Sequence, residues 1–193
     1  MSDVNLTPAS ALGGASFDGL VKITELEPQG MITLRGDLTD KAIVNAVRDV
    51  FGVTLPGQRE TAFDGDAGAL WMSPDEALLL CTYTEAQAKA DDLAAKLADQ
   101  HALVVNVSDA RAVFQLQGRI LREVIAKLAP VDMSRGAFEP GQVRRTRLAQ
   151  VAAAFWMDDA SHARVVCFRS VAEYVFRLLQ NAAEDSSAVG AFT

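Results

Sequence analysis

Met31-Ile-Thr-Leu-Arg-Gly36 recurs in similar form 82 residues further on, as Val113-Phe-Gln-Leu-Gln-Gly118. Each stretch is an apolar run with β-branched or aromatic residues that ends in glycine, which is typical of a strand that leads into a turn. When such a unit recurs at a long spacing, the sequence predicts a fold assembled from two copies of one supersecondary unit.

Other pairs of similar residues extend this repeat at nearly the same spacing. Leu70-Trp71-Met72 matches Phe155-Trp156-Met157 at a distance of 85 residues, and Cys81 matches Cys167 at a distance of 86 residues. Small loop insertions would explain the change in spacing. We therefore predict that both tryptophans and both cysteines occupy equivalent, buried positions in the two halves.

The composition indicates a compact protein. The chain has 193 residues, half of them hydrophobic, a formal net charge of −7 and a pI near 4.8. This suits one domain with two pseudo-symmetric halves or two tightly packed small domains. An acidic surface argues against non-specific binding to nucleic acid or to anionic membranes. No apolar run approaches the roughly 20 residues that cross a bilayer, and no signal peptide is evident, so we expect a cytoplasmic protein.

The pattern predicts an α+β fold of two β-β-α-β-β-α halves arranged as a ferredoxin-like sandwich. The halves either share a sheet or pack back to back. We divide the chain into an N-terminal arm (1–19), a first half (20–101), a second half (102–183) and a C-terminal tail (184–193). The two halves form one compact unit. The arm is either disordered or ordered against another chain, and the tail is expected to fray.

Local signals refine this plan. Ser108-Asp-Ala110 predicts a turn that joins the strands 102–107 and 111–117 as a hairpin. Thr84-x-x-Gln87 and Ser170-x-x-Glu173 predict a capping box at the start of the last helix of each half.

Catalytic signals are sparse. His101 is expected to meet the negative end of a helix dipole, and His162 to lie in a solvated hairpin tip. Gly36 and Gly118 could allow backbone amides to bind an anion, but close packing at a turn is the favoured interpretation. None of the common nucleotide, nucleophile or zinc motifs is present. We therefore predict no catalytic, cofactor or metal site in this chain.

The stretch 135–147 is unusual because it concentrates arginines in an acidic protein. If 142–150 is a strand, Arg145 and Arg147 share one face. Three interpretations stay open: a solvated or salt-bridged edge, a docking surface for an acidic partner, and a folate or phosphate site. The candidate interface residues are Arg135, Arg144, Arg145 and Arg147.

The second half carries a longer pattern: Phe114-Gln-Leu-Gln-Gly-Arg119, Val124-Ile-Ala-Lys-Leu-Ala-Pro-Val-Asp132, Thr146-Arg-Leu-Ala149, and Val166-x-Phe-Arg-Ser170 followed by Tyr174. This pattern resembles the gamma subunit of heterotetrameric sarcosine oxidase, most clearly over about 109–179. That family is similar in fold to the folate-binding T-protein of the glycine cleavage system and to the N-terminal domain of a tRNA-modifying GTPase.

The resemblance implies a non-catalytic subunit of a complex that converts sarcosine, oxygen and tetrahydrofolate to glycine, methylene-tetrahydrofolate and hydrogen peroxide. It implies alpha, beta and delta subunits as partners, with docking mainly on the folate-binding-type domain of alpha. FAD, FMN, NAD, zinc and tetrahydrofolate are then expected in the other subunits.

The alternative is a stand-alone tetrahydrofolate-binding protein similar to an aminomethyltransferase. It requires a central pocket between the halves with a carboxylate aimed into it. Neither the folate-activating carboxylate of the T-protein nor the Lys-Gly-Cys-type motif of the related iron–sulfur repair proteins can be placed in this sequence, which argues against an independent folate enzyme.

Overall fold

A computed structural model describes residues 7–192 of the chain. No helix in this range is long and apolar enough to cross a membrane. The strands are β1 (Ser16–Asp18), β2 (Lys22–Glu25), β3 (Gly30–Arg35), β4 (Thr61–Asp64), β5 (Ala67–Ser73), β6 (Glu76–Cys81), β7 (Leu103–Asn106), β8 (Arg111–Gln117), β9 (Val143–Leu148), β10 (Val151–Met157) and β11 (His162–Phe168). The α-helices are α1 (Lys41–Phe51), α2 (Ala86–Lys96), α3 (Leu121–Ala126) and α4 (Ala172–Ala183).

The strands form two antiparallel sheets that pack face to face. Sheet I has the order β4-β5-β6-β3-β7, and sheet II has the order β1-β2-β8-β11-β10-β9. Helices α1 and α2 cover the outer face of sheet I, and α3 and α4 cover the outer face of sheet II. The molecule is thus a helix–sheet–sheet–helix sandwich. This confirms the predicted α+β class and selects back-to-back packing over a shared sheet.

The side chains of each central strand alternate between two cores, one beneath the helices and one between the sheets. In β3, Ile32 and Leu34 pack under the helices of sheet I, whereas Met31 enters the core between the sheets. Successive side chains point to opposite faces of a strand, so a strand that is buried on both faces is apolar at nearly every position. Sheet II repeats this arrangement, with Phe114 under its helices and Val113 between the sheets.

The two halves exchange their first strands. β2 leaves the first half and pairs with β8 in sheet II, whereas β7 leaves the second half and pairs with β3 in sheet I. The predicted hairpin of 102–107 with 111–117 is therefore wrong. The segment at Ser108 carries the chain from one sheet to the other, and its buried hydroxyl accepts the Met31 amide at 2.9 Å. Turn residues alone do not tell a hairpin from such a crossover.

Helix α1 begins with a side-chain cap, whereas the other three α-helices of the described range do not. The carboxylate of Asp40 accepts the Ala42 amide at 2.7 Å, and Gly52 ends the helix in the left-handed region, with φ of 75°. The predicted capping boxes at Thr84 and Ser170 are wrong. Helices α2 and α4 follow 3₁₀ turns, whose backbone carbonyls accept the amides that a side chain would otherwise satisfy.

The two tryptophans are not equivalent. Trp156 is fully buried between the sheets, whereas Trp71 lies on the opposite face of its strand and is half-buried. Counted from Cys81 and Cys167, which are both buried beneath helices, Leu70 is the counterpart of Trp156. A shift of one residue along a strand exchanges its two faces. The predicted match of the cysteines is confirmed, and that of the tryptophans is wrong by one position.

Both ends of the described range pack on the same molecule. The buried carboxylate of Glu25 accepts the amides of Leu12 and Gly14 at 2.9 to 3.0 Å, and β1 pairs with β2. Residues 7–19 of the arm therefore pack on their own chain, so neither predicted alternative, disorder or ordering against another chain, describes them. Residues 1–6 lie outside the described range. The buried carboxylate of Glu123 accepts the amides of Val189 and Ala191, so fraying is wrong for the tail as far as residue 191.

Candidate functional site

The arginine-rich segment forms the edge strand of sheet II, which is the condition under which Arg145 and Arg147 were expected to share one face. Arg144 and Thr146 share the helix-facing side of β9 with the buried Leu148. Arg145 and Arg147 lie on the other side, and both are exposed. β9 therefore directs its positive charges to both of its faces.

The four candidate arginines have different surroundings. Arg135 and Arg147 are exposed and form no ion pair with any residue in the range 7–192. Arg145 lies 3.6 Å from the nearly buried carboxylate of Glu76, which it shares with Arg35. Arg145 is thus held by a local ion pair, whereas Arg135 and Arg147 remain free to bind a partner.

Arg144 is held in a fixed position by the loop before β9. Its guanidinium donates to the carbonyls of Val143 and Ala137 at 3.0 Å and lies 4.9 Å from the centre of the Phe138 ring. Burial lowers the pKa of Arg144, and the positive charge of Arg59 lowers this pKa further. Arg59 and Arg144 are therefore close enough for their charges to repel.

Arg144 lines a cleft of about 430 Å³ at the edge where the two sheets meet. Arg59 and Trp71 of the first half line this cleft together with Arg144 and Arg145 of the second half. A hydrogen bond joins the two halves here, because the Val143 amide donates to the Arg59 carbonyl at 2.8 Å. The cleft thus lies between the two halves, whereas Arg135 and Arg147 lie outside it.

The cleft carries an excess of positive charge. Among the described residues, no carboxylate lies within ion-pair distance of the guanidinium of Arg59 or Arg144. Asp132 is the carboxylate of the lining, and it is exposed and accepts the Ser134 amide at 2.9 Å within its own turn. Hydrogen bonds from the Ser134 hydroxyl and amide lower the pKa of Asp132. Asp132 is therefore ionised at neutral pH, but its carboxylate already accepts a hydrogen bond from Ser134.

A smaller cavity of about 50 Å³ lies beside this cleft and shares Arg145 with it. The guanidinium of Arg111 stacks on the Phe168 ring at 4.0 Å, and its buried Nε has no hydrogen-bond acceptor among residues 7–192. Burial lowers the pKa of Arg111, and the carboxylate of Glu76 opposes this shift. Sequence reasoning did not find Arg59 or Arg111, because each is an isolated arginine and only the tertiary fold brings it to these cavities.

The histidines do not form catalytic pairs. His162 Nδ1 lies 2.9 Å from the Asp159 carboxylate and 3.2 Å from the Ser161 hydroxyl. Because both contacts use the same ring nitrogen, the imidazole is not positioned between an acid and a nucleophile as in a catalytic triad. Hydrogen bonds from Ser161 lower the pKa of Asp159 to about 2. His101 follows α2 beyond its end, as expected, and lines an open surface hollow with Gly36.

The two matching glycines pack closely, as the favoured interpretation predicted. A Cβ on Gly36 would lie 2.9 Å from Ile43 Cδ1, and a Cβ on Gly118 would lie 2.9 Å from Val21 Cγ1. The side chain of Asp40 already caps the helix that follows Gly36. The positions are thus explained by the lack of room for a side chain.

The cysteines are free thiols in separate cores. Burial raises the pKa of Cys81 to about 11 and that of Cys167 to about 12, so neither is a thiolate at neutral pH. Over residues 7–192, no group of three or more histidine, cysteine, aspartate or glutamate side chains is arranged to hold a metal ion. That the chain binds no metal stays a prediction.

Comparison with known proteins identifies the family. The model of the "Sarcosine oxidase, gamma subunit family" matches residues 35–185. The chain belongs to this family. The gamma subunit of sarcosine oxidase from Corynebacterium sp. strain U-96 is 31% identical over 139 residues, which cover 71% of this chain and 67% of that protein. The gamma subunit from an Arthrobacter species is 28% identical over 151 residues, which cover 77% of this chain and 72% of that protein.

Solved structures support the same assignment. A chain of the heterotetrameric sarcosine oxidase from Corynebacterium sp. U-96, solved in complex with pyrrole 2-carboxylate, aligns with a TM-score of 0.79 and 26% identity over 91% of each chain. Aminomethyltransferase T of the glycine cleavage system from Bartonella henselae aligns with a TM-score of 0.57 and 14% identity, over 80% of this chain and 44% of that one. The second likeness shows a shared fold alone. Both the resemblance to the gamma subunit and the T-protein type of fold are confirmed.

Proposed function

We propose that this chain is the non-catalytic gamma subunit of a cytoplasmic heterotetrameric sarcosine oxidase. The observation that carries this proposal is the alignment over 91% of both chains with a member of such a heterotetramer. The family match over residues 35–185 supports it. The alpha, beta and delta subunits are the proposed partners, and alpha is the main one.

The proposed complex oxidises sarcosine with oxygen and tetrahydrofolate to give glycine, methylene-tetrahydrofolate and hydrogen peroxide. FAD, FMN, NAD, zinc and tetrahydrofolate would be held by the other subunits. The protonated thiols and the arrangement of His162 support a non-catalytic role for this chain, because none of these groups is poised as a nucleophile or base. Its proposed task is to complete the assembly and stabilise the folate-binding-type domain of alpha.

The proposed docking surface is the set Arg135, Arg144, Arg145 and Arg147. Two of its members, Arg135 and Arg147, are exposed and free of ion pairs within the described range, so their charge is available to an acidic partner. Arg144 and Arg145 are partly engaged by local acceptors and contribute less free charge. Exposed charges at an interface mainly steer association and fix its orientation.

The test is affinity purification of a tagged chain from its own organism, with mass spectrometry and an absorbance spectrum of the recovered material. The proposal expects three other chains and a flavin spectrum. The double variant Arg135→Glu/Arg147→Glu should lose these chains and keep its melting temperature. Arg119→Glu is the matched control, since Arg119 is also exposed and free of ion pairs within residues 7–192 but lies just before α3. If the chain is recovered alone, the proposal fails.

A stand-alone tetrahydrofolate-binding transferase is the second candidate, because the cleft lies between the halves and includes Asp132. The lining does not fit a folate-activating carboxylate, since Asp132 is exposed and bound to Ser134. Titration of the purified chain with tetrahydrofolate tests this candidate. The absence of binding at about millimolar concentration would exclude it, because a Kd of about 1 mM corresponds to only about 4 kcal/mol of binding free energy.

A further inference from the structure

The cleft at the sheet edge holds two arginines that lack a counter-charge in the described part of the chain. Arg144 is fixed by the carbonyls of Ala137 and Val143 and by the Phe138 ring, and Arg59 of the first half lines the same cleft. The charge of Arg59 lowers the pKa of Arg144, which means that the fold holds like charges together. An anion between them would relieve this repulsion.

Two of the N–H donors of Arg144 make no hydrogen bond within residues 7–192. Of the five N–H donors of a guanidinium, Arg144 uses three on Val143, Ala137 and Gln142. The others remain for an oxyanion, and the backbone contacts hold them in place, so little conformational entropy is lost on binding. Arg59 is exposed and has a left-handed backbone, with φ of 64°, which directs the chain back toward β9.

Besides its arginines, the cleft is lined by polar Asp132 and Thr146 and by the apolar residues Trp71, Met72, Pro130, Val131, Ala137 and Val143. Trp71 is half-buried and supplies the aromatic surface of the cleft. A volume of about 430 Å³ is in the range of small-molecule sites in proteins. Aromatic rings present a flat apolar surface to a ligand, while guanidinium groups bind its oxygens in a fixed geometry.

We propose that this cleft binds a small organic oxyanion, a carboxylate or a phosphate monoester, whose apolar part lies against Trp71. Arg59 of the first half and Arg144 of the second half bind the oxygens, and Arg145 also lines the cleft. The cleft shares Arg144 and Arg145 with the proposed docking surface, but binding of a small anion by the free chain can fail while the proposed function holds.

Calorimetric titration of the full-length chain with phenyl phosphate and with benzoate tests the site. Binding is expected to change the fluorescence of Trp71, because Trp156 is enclosed in the core. Arg59→Ala should weaken binding of either anion about tenfold or more, as expected for a lost charge-assisted hydrogen bond. Arg144→Met should do the same, with its melting temperature checked for folding. Because Arg59 makes no side-chain hydrogen bond or ion pair within residues 7–192, its variant keeps the test independent of folding.

Arg147→Ala is the matched control, because Arg147 lies on the same strand but outside the cleft; its affinity should match that of the unmodified chain. Benzyl alcohol is the neutral control and should not bind. The proposal is overturned if neither anion binds, if benzyl alcohol binds equally well, or if Arg59→Ala leaves the affinity unchanged. Binding to the free chain but not to the assembled oxidase would also overturn it, since an acidic side chain of a partner would then fill the cleft.

Discussion

The backbone amide of Leu26 donates to the carbonyl of Val113 over 2.9 Å, just after the exchanged strand β2. The equivalent bond in the other half runs from the amide of Val107 to the carbonyl of Met31 over 2.8 Å, just after β7. The two bonds are reciprocal, so each half supplies one strand to the sheet of the other. The repeat in the sequence therefore does not divide the molecule into two independent folding units.

We expect neither fragment 20–101 nor fragment 102–183 to fold alone. The first would lose β7 and the second would lose β2, and each loss exposes the main chain of β3 or β8 along one whole edge. Circular dichroism with thermal melting of each fragment tests this, and an equimolar mixture is the control. A sharp, cooperative melt of either fragment alone would show that the exchange is dispensable.

The two tryptophans should differ in their contribution to stability. Trp156 is fully buried, stacks with Phe63 at 6.2 Å and donates to Asp158 at 3.1 Å, so Trp156→Ala should cost about 3–5 kcal/mol. Trp71 is half-buried, and Trp71→Ala should cost less than about 2 kcal/mol, in the usual range of single substitutions. Urea unfolding curves of both variants measure the difference. Equal losses would contradict the assignment of only Trp156 to the core between the sheets.

Gly118→Ala should destabilise the protein through lack of room. Its Cβ would lie 2.9 Å from Val21 Cγ1 and 3.2 Å from Val21 Cα, and overpacking of this kind costs about 1–3 kcal/mol. Gly136→Ala is the matched control, since Gly136 also has a positive φ but has no atom within 4 Å of the added Cβ. Thermal melting of the two variants should rank Gly118→Ala as clearly less stable. The close-packing explanation fails if the two melts coincide.

Attachment of the C-terminal tail should depend on pH. Hydrogen bonds from the Val189 amide, from Lys127 and from the Ala191 amide lower the pKa of Glu123 from its ordinary value of 4.5. Because the folded-state value is depressed, the stabilisation is complete above the ordinary value and is lost as the pH falls through the lowered one.

Amide hydrogen exchange measures this attachment directly. Val189 and Ala191 should be protected at neutral pH and lose protection at acidic pH, while the amides of β8 remain protected. The variant Glu123→Ala should lose protection of the tail at every pH. If the tail amides of this variant exchange as slowly as those of the unmodified chain, the carboxylate does not hold the tail.

Sequence patterns were sufficient where structure follows from local chemistry. The apolar, β-branched runs at 31–36 and 113–118 predicted the central strands β3 and β8. The spacing of Cys81 and Cys167 predicted their equivalence. These features depend only on the period of each element.

Features set by tertiary structure could not be predicted in this way. The residues at Ser108 can form a turn in either a hairpin or a crossover. Which of the two forms depends on the sheet in which β7 finds a strand to pair with. An alignment that matches identical residues pairs Trp71 with Trp156, and therefore does not show the one-residue offset between them. Arg59 reaches the candidate cleft only because its carbonyl accepts the Val143 amide from the other half. The division into halves at 101/102 stays a prediction about the sequence repeat.

The central claim is that this chain acts only within an oxidase complex, and sarcosine-dependent formation of hydrogen peroxide tests it most directly. The assay compares the complex recovered with the tagged chain and the same chain purified alone, at equal molar concentration. We expect peroxide from the complex and none from the isolated chain. Peroxide formation by the isolated chain, or a recovered complex that does not oxidise sarcosine, would contradict the account.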